Sequence, residues 1–178
     1  MAYTIEEHNH RLAAWDAGRS ASVKGCRFKV ENAKVILEAC GFNADFGLAG
    51  LPHPDDLDQT HEKWRKDTIA AASTHGISMT HGVAAKIINC YLKARFVCAG
   101  LHEHERVQCL HPPIDEVLLK TLAEKDFGGF KKQWRKFRYK RWSKFDSDTY
   151  QSVIDHIRQS LSPDKALWKI EEYWEGHQ

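Results

Sequence analysis

Two side chains in this sequence have the type and setting to do covalent chemistry on a sugar or a carbonyl. Lys86 lies in the stretch Thr80–Leu92, THGVAAKIINCYL, where a glycine-containing turn opens a helix. A lysine amine attacks an electrophilic carbon only when partly unprotonated, which takes desolvation or a nearby cation. Asp115 follows Pro112-Pro113-Ile114 at a second helix start, 29 residues further on. Prolines set the entry to a helix and its dipole favours a carboxylate in the first turn. A carboxylate held there can stabilise an oxocarbenium-like sugar or orient a nucleophile. On a helical wheel Val83, Ala84, Ile87, Ile88, Tyr91, Ala94 and Cys98 form the apolar side. Lys86, Asn89 and Lys93 share the other side, so Lys86 is expected to project to solvent or into a cleft, with Lys93 able to add like-charge pressure.

A third feature is electrostatic. Residues 131–144, KKQWRKFRYKRWSK, hold eight Lys or Arg and no acid, while the whole chain carries only +2. Lys131, Lys132, Arg135, Lys136, Arg138, Lys140 and Arg141 therefore make a concentrated basic block on an otherwise acidic protein, which suits an anionic partner on one face. Trp134, Phe137, Tyr139 and Trp142 interleave with the cations. Cations can pair with phosphates and flat rings can stack on bases, the pattern expected of a nucleic-acid surface. An amphipathic helix burying Phe130, Trp134 and Phe137 is the simpler explanation for part of it.

These elements resemble the helix-hairpin-helix DNA glycosylases, whose hairpin has the form L-P-G-h-G-x-K-T-A-N-x-x-L followed by P-V-D at a helix start. Gly82, Val83, Lys86, Asn89 and Leu92 match the hairpin, and Pro113-Ile114-Asp115 looks like the P-V-D element. His81 and Ala84 stand where the family has its proline and second glycine. The Lys–Asp spacing and the absence of a cluster-binding cysteine pattern are most similar to the archaeal 8-oxoguanine glycosylase-like branch. The resemblance implies that Lys86 and Asp115 are catalytic and that the hairpin amides at Gly82, Val83 and Ala84 hold a DNA phosphate. It also implies duplex DNA with a flipped base as substrate, no cofactor and no metal. Base excision, with or without the lyase step, is the activity expected.

Two alternatives come from the residues themselves. Arg95 with His102, and Arg106 with His111, have the R-x4–6-H spacing of the all-α HEPN ribonucleases. Arg95 falls inside the apolar side of its helix, where an acidic partner such as Asp115 would be needed. A catalytically silent nucleic-acid-binding module explains the basic block equally well. His102, His104, Cys109 and His111 are each able to bind zinc, but their spacing forms no standard finger.

The elements that must position these groups read as helices throughout. Thr4 and Glu7 fit a capping box, with a helix expected to end near Gly18. Further helices are expected over about 29–40, from Asp55 to His75-Gly76, over 80–99, over 114–124, around Tyr150–Leu161 and beyond Pro163. No period-2 strand is evident. The expectation is a single all-α globular domain over residues 1–178, a multi-helix fold with a helix-hairpin-helix-like element. Five scattered cysteines, no apolar run of membrane length and no visible secretory signal point to a reduced, cytoplasmic protein with no membrane partner.

Overall fold

The computed structural model describes residues 3–176, so the expected domain extends two residues beyond it at each end. The chain is all-α, as expected. Its helices are α1 (Ile5–Ala21), α2 (Val30–Ala39), α3 (Leu57–Thr74), α4 (His81–Leu92), α5 (Glu105–Gln108), α6 (Glu116–Glu124), α7 (Lys131–Lys140) and α8 (Ser147–Ser160). A 3-10 segment, Leu167–Tyr173, closes the described chain. Among the described residues the one β-type pairing is an isolated bridge, Val23 with Cys26. No described helix is long and apolar enough to cross a membrane.

Local sequence accounts for most boundaries. The Thr4 hydroxyl accepts the Glu7 amide and starts α1. Gly76, at φ 69°, ends the turn after α3. Gly18 does not stop α1, which runs on to Ala21. It serves packing instead: a Cβ there would stand 2.8 Å from the Ala33 Cβ, so α2 crosses α1 at backbone contact. After Leu92 the helix widens into a π-helical stretch, Lys93–Leu101, which Gly100 terminates at φ 87°.

α4 is the axis of the molecule. Every residue from Gly82 to Leu92 is buried. Ile87, Ile88 and Tyr91 join a core built from α1, α2, α3 and the π-helical stretch, with Ala17, Leu37, Phe42 and Phe96. Ala85 joins a second core, formed by α6, α7, α8 and the C-terminal segment around Leu118, Trp134, Ile154 and Ile170. A helix packed on both sides has no solvated face, so the polar side of the wheel is covered as well.

Candidate active site

The N-terminus of α4 is fixed before it delivers Lys86. The Thr80 hydroxyl accepts the Val83 amide and donates to the Ser143 carbonyl, 2.9 Å away. The Gly82 amide donates to the Phe145 carbonyl at 3.1 Å. A Cβ on Gly82 would fall 1.8 Å from the Trp142 carbonyl oxygen, so only glycine permits this approach. α4 is thus bolted to the 142–145 connection, and Lys86 follows one turn later.

Asp115 arrives from the other side as the N-cap of α6. Its Oδ1 accepts the Leu118 amide at 2.9 Å. Its Oδ2 accepts from Lys86 Nζ at 3.0 Å and from Trp174 Nε1 at 2.9 Å. The two side chains are only 7% and 19% exposed. Lys86 is therefore neither solvated nor idle. It is paired inside a cleft of about 320 Å³ that Asp16, Ser20, Cys90, Lys93, Glu171 and Trp174 also line. The volume falls at the lower end of the range for small-molecule sites.

The rest of the cleft has its own electrostatics. Lys93 does not press on Lys86 as an unpaired cation, because it forms an ion pair with Glu171. Burial pulls the Lys93 ammonium down, but Glu171 beside it outweighs that and holds it charged. Burial pushes the Cys90 thiol up to about 11, so it stays protonated near neutral pH.

One further residue sets the spacing of the pair. Asn89, one turn beyond Lys86, donates to the Pro112 carbonyl and to the Tyr150 hydroxyl, both at 2.9 Å. Pro112 is three residues before Asp115, so the amide ties the lysine helix to the segment that carries the carboxylate. Asn89 belongs to a buried polar chain. Arg65 donates to His61 Nδ1 at 2.8 Å, and His61 Nε2 reaches Asn89 Oδ1 at 2.7 Å. Tyr150 reaches His111 Nδ1 at 3.1 Å, and His111 Nε2 reaches Asp58 at 2.8 Å. Arg158 closes the chain on both Asp58 oxygens.

Other expected contacts are placed differently. The amides of Gly82, Val83 and Ala84 are taken by Phe145, the Thr80 side chain and the Thr80 carbonyl. All three residues are buried, so they do not present the phosphate grip that the family hairpin implies; with Ala84 in place of a second glycine, the turn is an ordinary capped helix start. Trp134 and Phe137 are core residues, while Tyr139 stands 85% exposed. Arg138 pairs with Glu116 and Lys140 with Asp146. Among the described residues no carboxylate is within ion-pairing distance of Lys132, Arg135, Lys136 or Arg141, all of which are exposed; Lys131 is half-buried at the start of α7.

Among the described residues no carboxylate is within ion-pairing distance of Arg95, which donates to the backbone carbonyls of Glu6 and Ala44. His102 faces Glu103 and the Trp168 ring, so neither residue of the alternative ribonuclease pair, Arg95 and His102, is turned toward the other. Arg106 donates to the Leu51 carbonyl, and His111 is buried in the polar chain rather than on a surface loop. Among the described residues no group of three His, Cys, Asp or Glu is placed to hold a metal ion.

The structure brings together Lys86 and Asp115 and adds groups to which the sequence had assigned no role at the site: Trp174, Glu171, Asn89, Tyr150 and Asp58. Asn89 alone carried a signal, as a match to the hairpin pattern. Compared with models of known families, with curated proteins and with solved structures, the chain matches none.

Proposed function

We propose that this protein is a DNA glycosylase that removes a damaged or modified base, with Lys86 as the amine nucleophile and Asp115 as its carboxylate partner. One observation carries the reading: two residues 29 apart in sequence meet at 3.0 Å inside a cleft. In this reading a base is flipped out of the stack, because its glycosidic carbon is unreachable within it. Lys86 gives up a proton and attacks the sugar carbon as the base departs. While ionised, the Asp115 carboxylate stabilises positive charge developing on the sugar, and it is within direct reach to accept the Lys86 proton as the carbon–nitrogen bond forms. The departing base takes up that proton as its bond to the sugar carbon breaks. The C1′–O4′ bond then opens, O4′ receiving a second proton from the attached nitrogen by way of Asp115, and a protonated Schiff base is left, which opens the route to strand cleavage. Exposed cations of α7 and its C-terminal turn supply phosphate contacts, a role the buried hairpin amides do not fill.

Borohydride capture on a panel of lesion-bearing duplexes tests the reading. The wild-type protein should become covalently joined to at least one duplex, and Lys86→Gln should not. Absence of both capture and base release across the panel would leave a binding protein, not an enzyme.

A further inference from the structure

A second concavity shares Trp142 with the surroundings of Lys86. It measures about 830 Å³ and lies between the turn after α1, at Lys24 and Gly25, and the segment Arg138–Ser143. Its walls supply three cations, Lys24, Arg138 and Arg141, and two aromatic rings, Tyr139 and Trp142, against one acid, Glu116. Glu116 is matched by Arg138 at 2.6 Å. Among the described residues no carboxylate is within ion-pairing distance of Lys24 or Arg141. Lys144 adds a further cation, its Nζ 3.8 Å from where a Cβ on Gly25 would stand. Arg141 holds φ at 66°, a conformation rare for a residue with a side chain, at the turn that leads from Tyr139 into Trp142.

Trp142 joins this groove to the cleft. It lines the groove, and its ring centre lies 5.9 Å from Lys86 Nζ. Its carbonyl is packed on Gly82 at the start of the lysine helix, so groove and nucleophile are held in one frame. Cations alone would bind any polyanion. Cations interleaved with aromatic faces in a concave track match phosphates and unstacked bases together.

We propose that this groove holds the unpaired strand flanking the reacting nucleotide. Bases stack on Tyr139 and Trp142, and phosphates meet Lys24, Arg141 and Lys144. The inference rests on the nucleic-acid reading above and adds a substrate form to it. A paired duplex shields its base faces, so the groove favours DNA that is single-stranded or locally opened.

Fluorescence anisotropy with an undamaged, labelled thymidine oligomer and with the matching duplex, at one salt concentration, tests this. The wild-type protein should bind the single strand more tightly than the duplex. Tyr139→Ala should weaken single-strand binding roughly fivefold to a hundredfold, the range of one base–aromatic stack. Duplex binding should be little changed, and Tyr139→Phe should keep wild-type affinity. Tyr139 is 85% exposed, so its replacement leaves the core intact. Equal affinity of the wild type for both forms, or an unchanged affinity in Tyr139→Ala, would overturn the proposal. Undamaged DNA offers no reaction, so the result stands whether or not Lys86 excises a base.

Discussion

Asp115 holds two jobs on its two oxygens. Oδ1 caps α6 through the Leu118 amide, and Oδ2 holds Lys86 and Trp174. The jobs separate by substitution. Asp115→Asn keeps an oxygen for the cap but removes the charge that faces Lys86. Asp115→Ala removes both, and the lost cap alone costs about 1 kcal/mol. Urea unfolding should therefore find Asp115→Asn the more stable variant by about that amount, while the proposed base excision is strongly reduced in both. Equal stabilities would contradict the capping role. The same pair explains why position on a wheel left Lys86 open between solvent and a cleft. A wheel shows which side of a helix is polar, but whether that side meets water depends on what packs against it. Here Asp115 and the C-terminal segment cover it.

α4 is the element on which everything turns, and Gly82 is its anchor. A methyl group at that position would drive into the Trp142 carbonyl, a backbone atom with little room to shift. Gly82→Ala should destabilise the protein by about 3 kcal/mol, at the upper end of the usual cost of overpacking. Thermal denaturation measures this, and an unchanged melting temperature would show that the contact with 142–145 is not required. The helices themselves were legible in the sequence, because caps, glycines and 3.6-residue periodicity are local. Thr4 and Gly76 act as their residue types suggest. Gly18 was misread as a stop, since a glycine used for close helix crossing looks the same in sequence as one used for a cap. The Lys86–Asp115 meeting was readable from two motifs. The roles of Asn89, His111 and Trp174 were not, because they arise from long-range contacts that no local pattern encodes. The basic block divided similarly. All of its cations but Lys131 remain exposed, while Trp134 and Phe137 went to the core and left Tyr139 and Trp142 for the groove.

Across the whole molecule, the buried chain from Arg65 to Asp58 links α3, α4 and α8 and passes through the segment before α6. Its charges make stability depend on pH. Burial first, then His111 and Arg65, hold His61 well below the usual histidine range. Burial also lowers His111, against the pull of Asp58. Both rings are therefore neutral in the folded protein where the unfolded chain begins to take up protons. Protonation then favours unfolding, so their contribution is complete above about pH 6.5 and falls as pH drops below it. Each histidine adds a slope of up to about 1.4 kcal/mol per pH unit. Burial raises Asp58, but hydrogen bonds from His111 and Arg158 outweigh it and hold its carboxyl well below the usual carboxylate range. Its contribution is present above about pH 4 and is lost at still lower pH. Urea unfolding at pH 7.5, 6 and 5 should show a steady loss of stability over this range; a flat profile would mean that the two rings are not held neutral.

The chemistry itself comes down to one bond. Borohydride capture of a lesion-bearing duplex, followed by peptide mapping, asks which lysine the sugar becomes attached to. The predicted result is a single adduct on Lys86, absent in Lys86→Gln and strongly reduced in Asp115→Asn. An adduct on another lysine, or base excision at the wild-type rate in both variants, would contradict it.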